Sequence, residues 1–305
     1  MMRRLLFVLL MALSAGACGG APNPSATAPN DTYHVITTTS VFADLAKMAL
    51  GDAAYIESIV PAGIDVHTFQ PSPSDVEKIQ SADLIIANGL GLDGWIGSLI
   101  EASGKSGVDT LLLGEGLDQE SGWVYLSNAE TSGALDPHVW LDPKGAILYV
   151  QHIADRVSRD APDLAQRIAA SSADGVNSIA AVDQDLATEF AAIDPSRRKI
   201  VTMHDAFGYF ARAYDIEIVG VAVAAPGQDP SAQEIRALID AIRAAGVTAL
   251  FSEVQLPSKV LDQIAAETGT TVLQDLYSDA LGAAPADSYL GLMRTNADAI
   301  LGAMR

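Results

Sequence analysis

The side chains best suited to chemistry in this chain are its five histidines, His34, His67, His138, His152 and His204, and the carboxylates around them. Cys18 is the only cysteine, so neither a disulfide framework nor a thiolate metal site can be built. No glycine-rich phosphate loop, nucleophile elbow or short-spaced zinc-protease motif occurs. His152 falls inside a helical pattern and His34 at the start of a strand, where structural roles are expected. His67, His138 and His204 each fall in a connection between a strand and the following helix, the edge at which open α/β sheets bind ligands. They are too distant in sequence to share a helix turn and can meet only through the tertiary fold. On spacing alone, each reads as readily as a surface or hydrogen-bonding residue as a metal ligand.

The elements that must position them alternate along the chain. Short β-rich runs at Val35–Thr39, Tyr55–Val60, Leu84–Asn88 and Thr110–Leu113 are interleaved with helical patterns at Val41–Leu50, Asp75–Ser81 and Trp95–Ala102. Ser40 is the expected cap of the first helix, and either Ser72 or Ser74 that of the second. Leu84–Asn88 is wholly apolar through Ala87, as strands buried on both faces of a parallel sheet are. Gly114–Leu135 has no clear period and reads as an exposed loop. Asp142-Pro143 supplies a cap and a first-turn proline for a helix to about Arg159. Apolar residues from Leu164 to Phe190 then recur mostly three or four apart, which predicts one long helix. Strands at Lys199–Met203, Glu217–Val223, Ala249–Ser252 and Thr271–Leu273 alternate with helices at Ala206–Tyr214, Ala232–Ala245, Pro257–Thr268 and Ser288–Met304. The expected fold is α/β, with two lobes, each a mainly parallel sheet flanked by helices, joined by one long rigid helix. The expected boundaries are 32–162 for the N-terminal lobe, 163–193 for the linking helix and 194–305 for the C-terminal lobe.

Three segments carry a resemblance: Pro61-Ala62-Gly63-Ile64-Asp65-Val66-His67-Thr68-Phe69-Gln70-Pro71, Asp136-Pro137-His138-Val139-Trp140-Leu141-Asp142-Pro143, and Val201-Thr202-Met203-His204-Asp205-Ala206-Phe207-Gly208. With Leu276-Tyr277-Ser278-Asp279-Ala280-Leu281-Gly282, they resemble, in order, the signature motifs of the zinc/manganese substrate-binding proteins of ABC importers. The match runs from about Thr32 to the C-terminus, and departs at Val66, where the family usually has proline. The resemblance implies metal ligands His67, His138, His204 and Asp279, two from each lobe, a divalent metal as cargo, an ABC permease as partner, and no enzymatic activity. Three imidazoles and one carboxylate suit zinc and other late first-row metals. Histidine at the third position tilts the family pattern toward Zn2+. The Gly114–Leu135 segment lacks the histidine-rich loop of dedicated zinc receptors, which keeps Mn2+ as the alternative. Asp65, Asp136 and Asp205 lie beside the histidines and either orient the rings or serve as caps and turns.

Arg3 and Arg4, the apolar run Leu5–Leu13 and the small residues before Cys18 read as a signal peptide over residues 1–17. The junction resembles a bacterial lipobox, with Ala15 where leucine is usual. That implies export, a lipid anchor on Cys18 and a flexible tether over residues 18–31 that holds a monomeric receptor at the membrane. A formal charge of −20, from 18 basic and 38 acidic residues, argues against nucleic-acid binding. Two other readings share these features. A secreted zinc hydrolase would need an open coordination position and a general base, for which Glu253 is the candidate. A metal-binding surface adhesin on the same scaffold is the second.

Overall fold

The computed structural model describes residues 32–105, 109–127 and 134–305. The expected signal peptide, Cys18 and the tether lie outside the described residues. The first lobe runs β1 (Tyr33–Thr37), α1 (Ser40–Leu50), β2 (Ala54–Ser58), α2 (Pro73–Ser81), β3 (Leu84–Ala87), α3 (Trp95–Ser103) and β4 (Asp109–Leu112). Its strands are parallel and ordered β2-β1-β3-β4. Then come α4 (Leu117–Ser121), a 3-10 turn at Val139–Leu141, α5 (Pro143–Asp160) and α6 (Ala165–Ala191). The second lobe runs β5 (Lys199–His204), α7 (Gly208–Ala213), β6 (Glu217–Val223), α8 (Ala232–Ala245), β7 (Ala249–Glu253), α9 (Lys259–Thr268), β8 (Thr271–Leu276) and α10 (Tyr289–Met304). Its parallel order, β6-β5-β7-β8, repeats that of the first. In each sheet the connections reverse direction between the two central strands, which opens a crevice outside their carboxyl ends.

Local chemistry accounts for the element boundaries. Every residue of β3 is buried, as expected of a central strand covered on both faces. Helix α2 starts at Ser72, which forms a capping box with Asp75 and places Pro73 in the first turn; Ser74 is not the cap. Asp142 caps α5 by accepting from the Lys144 amide, and Pro143 opens the helix. At α1 the cap is Thr39, whose hydroxyl accepts from the Phe42 amide at 3.3 Å. Ser40, expected as the cap, is instead the first helical residue, and its hydroxyl accepts from the Leu281 amide of the other lobe at 2.9 Å.

Helix α6 has 27 residues and is about 40 Å long at 1.5 Å per residue. Near its start, Arg167 pairs with Asp52 of the first lobe. A Cβ at Gly175 would lie 2.9 Å from the Met48 backbone oxygen, so glycine permits the close approach to α1. At its far end Phe190 stacks on Tyr214 of the second lobe, with ring centroids 5.0 Å apart. One apolar core continues from Phe42, Trp140 and Tyr149 through Ile179 and Phe190 to Phe210, Phe251 and Tyr289, so the lobes are joined by packed side chains as well as by a helix. No helix among the described residues is long and apolar enough to cross a membrane.

The described part of the Gly114–Leu135 segment, residues 114–127, is more ordered than its aperiodic sequence suggests. It contains α4, whose Leu117 is buried, and the Tyr125 hydroxyl bonds back to the Gly114 oxygen and accepts from the Leu117 amide. Trp123 lies under the Arg212 guanidinium at 4.6 Å from the ring centroid. The aromatic side chains anchor the segment, a signal that periodicity does not carry.

Candidate metal centre

Each of the four expected side chains is delivered at the carboxyl edge of a sheet, three by connections and His204 by the end of a strand. His67 follows β2 in a turn built by Asp65, whose carboxylate accepts from the His67 amide at 3.0 Å and the Thr68 hydroxyl at 2.6 Å. Asp65 therefore shapes the turn, not the ring. Val66 is fully buried in the core and packs the loop down where the resembling family usually has proline. His138 enters the 3-10 turn before α5. Its backbone is held from below, because Nδ2 of the Asn88 side chain donates to the Pro137 oxygen at 3.0 Å and the Tyr149 hydroxyl donates to Oδ1 of Asn88 at 2.7 Å. His204 is the last residue of β5, one residue earlier relative to the strand end than expected. Asp279 follows β8, and its Oδ2 accepts from the Ser278 hydroxyl at 2.9 Å.

These four side chains converge. His67, His138, His204 and Asp279 each offer a ligand atom, and the four atoms all lie within 4.8 Å of one another. Asp279 is the hub: its Oδ1 lies 3.3 Å from Nε2 of His138, and its Oδ2 lies 3.6 Å from Nε2 of His204 and 3.8 Å from Nε2 of His67. Around an ion with bonds of about 2.0–2.1 Å, tetrahedral ligands sit about 3.4 Å apart, so the spacing is that of a coordination shell slightly opened. The Nε2 atoms of the three histidines and Oδ1 of Asp279 are buried and have no hydrogen-bond partner. Leaving several such groups unsatisfied costs about 1–3 kcal/mol each, which makes a shared cation the natural partner. His34 and His152 stand apart, against Glu57 and Glu120 respectively.

Carboxylates stand behind two of the rings. Oδ1 of Asp136 lies 2.8 Å from Nδ1 of His138 and also accepts from the His138 amide at 2.9 Å. Gly208 makes room for it, since a Cβ there would fall 2.8 Å from Oδ2 of Asp136. Behind His204, Oε1 of Glu253 lies 2.7 Å from Nδ1. The distance is that of an ion pair, although the contact falls outside hydrogen-bond geometry. Glu253, distant from His204 in sequence, is thus a carboxylate behind that ring. It lies against Nδ1 while Nε2 of the same ring faces Asp279, an arrangement that suits orienting the ring better than acting as a general base.

Electrostatics follow from burial and these partners. Burial opposes a charge on His138, but Asp136 and Asp279 outweigh it and lift the imidazole to about 10. Burial likewise opposes protonation of His204, and Glu253 and Asp279 again win, raising it. At His67 burial prevails over Asp279, and its pKa is lowered. Burial alone would raise Asp279, but the three surrounding histidines hold it well below the usual carboxylate range. Solvent reaches the cluster from one side: the His67 side chain is 16% exposed, whereas those of Asp279 and His204 are almost completely buried.

Residues 35–303 match the family described as "ZnuA: Zinc-uptake complex component A periplasmic". The chain belongs to this family. Membership makes it the solute-binding component of an importer, not an enzyme, and places it among proteins that work outside the cytoplasm. The metal ABC transporter substrate-binding lipoprotein ScbA of Streptococcus cristatus is 29% identical over 97% of each chain. The iron ABC transporter substrate-binding lipoprotein MtsA of Streptococcus pyogenes is 28% identical over 90% of this chain and 89% of its own. Among solved structures, the periplasmic zinc binding protein TroA of Treponema pallidum superposes with a TM-score of 0.80 at 25% identity, covering 90% of this chain and 99% of that one.

Sequence reasoning brought the four converging residues to notice but missed the part played by Glu253, Asn88 and Tyr149. The Glu253 signal lies in strand register. Thr202 of β5 pairs with Phe251 of β7, so residues two further along each strand, His204 and Glu253, project to the same side of adjacent strands.

Proposed function

We propose that this chain is the extracytoplasmic receptor of a metal ABC importer and captures Zn2+ with His67, His138, His204 and Asp279. The observation that carries the reading is the convergence of four buried, otherwise unpartnered ligand atoms between two sheets. Three imidazoles and one carboxylate form a closed four-ligand set with no position reserved for a reacting water, which suits capture and delivery. Zinc is favoured over Mn2+ because nitrogen donors suit late first-row metals, whereas manganese prefers oxygen. Relatives named for manganese, in Streptococcus gordonii, and for iron make cargo the property to measure.

The loaded receptor delivers its ion to a membrane permease. The lipoprotein names of its relatives support Cys18 as a lipid anchor. In this reading residues 18–31 are the tether and the folded lobes act as a monomer in the periplasm or at the cell surface. The continuous core and α6 restrict the lobes to a small tilt, so release proceeds by local opening on the His67 side, where solvent already reaches.

The test is metal analysis of the mature protein purified without chelator, followed by competition between Zn2+ and Mn2+. One equivalent of bound metal with zinc preferred is expected. Failure to bind either ion, or unchanged binding in His138→Ala, would overturn the reading.

A further inference from the structure

Glu253 is the buried acid that the four-ligand reading leaves unused. Its side chain is completely inaccessible, and neither of its oxygens has a hydrogen-bond partner. It ends β7, which lies between β5 and β8 in the second sheet and so stands between the elements carrying His204 and Asp279. A carboxylate so far from water is costly to keep unless it acts on a neighbour, and the neighbour is Nδ1 of His204 at 2.7 Å.

The first lobe contains the same arrangement on unrelated elements. There Asp136 stands 2.8 Å from Nδ1 of His138, while Nε2 of that ring points to Asp279. In both cases an acid approaches the ring nitrogen remote from the convergence point. His67 differs, since its acidic neighbour Asp65 bonds its backbone amide instead. A carboxylate behind a ligating imidazole fixes which nitrogen carries the proton, aims the other at the ion and strengthens it as a donor.

We infer that Glu253 is a positioning residue of the metal site that, through Nδ1 of His204, aims Nε2 at the ion and biases the site toward nitrogen-preferring metals. This rests on the four-ligand reading proposed above. The added donor strength matters more for zinc than for manganese, because the affinity of imidazole sites rises along the first-row series. Glu253 therefore contributes to the choice of cargo without touching it.

The test uses the mature protein with Glu253→Gln, which keeps the shape and an acceptor oxygen but removes the charge, and Glu253→Asp, which keeps the charge but draws it back from the ring. Zn2+ and Mn2+ affinities are measured by chelator competition, and ligand number is read from the visible spectrum of the Co2+ form. Expected for Glu253→Gln are a 10–100-fold loss of zinc affinity, a smaller loss for manganese, and an unchanged four-coordinate cobalt spectrum. The aspartate variant should fall between, and serves alone if the glutamine variant does not fold. Zinc affinity within twofold of the parent, equal losses for both metals, or a cobalt spectrum that has lost a ligand would each overturn the inference. A parent protein that binds no metal would overturn the four-ligand reading itself.

Discussion

The indole N–H of Trp140 donates to the backbone oxygen of Ser278 at 2.9 Å, tying the turn that carries His138 to the turn that carries Asp279. The same turn is held a second time, because the Tyr289 hydroxyl donates to the Trp140 oxygen at 2.8 Å. The loop carrying His67 joins them through the Gly63 amide, which donates to the Leu281 oxygen at 2.8 Å. These bonds need no ion. The two halves of the site are thus registered by the protein before metal arrives, which reduces the ordering cost of binding.

Trp140→Phe removes the indole donor and leaves the Ser278 carbonyl buried and unsatisfied. A loss of about 2–4 kcal/mol is expected from the missing bond and the smaller ring together. Urea denaturation of the metal-free protein measures it, and the metal-induced gain in stability should shrink as well.

Gly208→Ala tests how the first-lobe acid is held. The new Cβ would meet Oδ2 of Asp136 at 2.8 Å and Leu126 at 3.2 Å, and Asp136 is too short to swing aside while keeping its contact with His138. Zinc affinity should fall about 10–100-fold, as for loss of an outer-sphere partner, with the fold retained. Chelator competition beside a circular dichroism spectrum reads both.

Protonation gives a signed pH dependence. The folded His138 pKa of about 10 lies above the unfolded value of about 6.5, so in the metal-free protein its stabilising contribution is complete below pH about 6.5. It is lost as pH rises through 10. Metal binding runs the other way, because a ligating imidazole must release its proton. Zinc affinity should rise with pH by about tenfold per unit for each proton displaced; His138 is the main source, the raised His204 adds to it, and the lowered His67 adds least. Calorimetry in buffers of different ionisation enthalpy counts the protons; no net release at neutral pH would contradict the assignment.

Metal should stabilise the fold by mass action. At a thousandfold excess over the dissociation constant the gain is about 4 kcal/mol, visible as a rise of several degrees in melting temperature. His138→Ala should abolish that rise while leaving the metal-free melt measurable.

Much of the fold was legible in the residues. The wholly buried Leu84–Ala87, the Asp142-Pro143 helix start and the long apolar period ending at Phe190 each express a local rule, and each is found where that rule puts it. Residues 114–127 were not, because Trp123 is held by Arg212 of α7 and Tyr125 folds back onto Gly114 and Leu117, contacts that leave no periodic trace.

By itself the sequence determined that three histidines lie at or just after strand ends, because residue chemistry and periodicity are local properties; Asp279 joined them only through the motif resemblance. Only the tertiary structure decided that these positions face one point, that Asp279 stands between all three histidines, and that Glu253 lies behind His204. The physical reason is that strand order and register set which side chains become neighbours across a sheet edge, and those depend on how both lobes bury one continuous core.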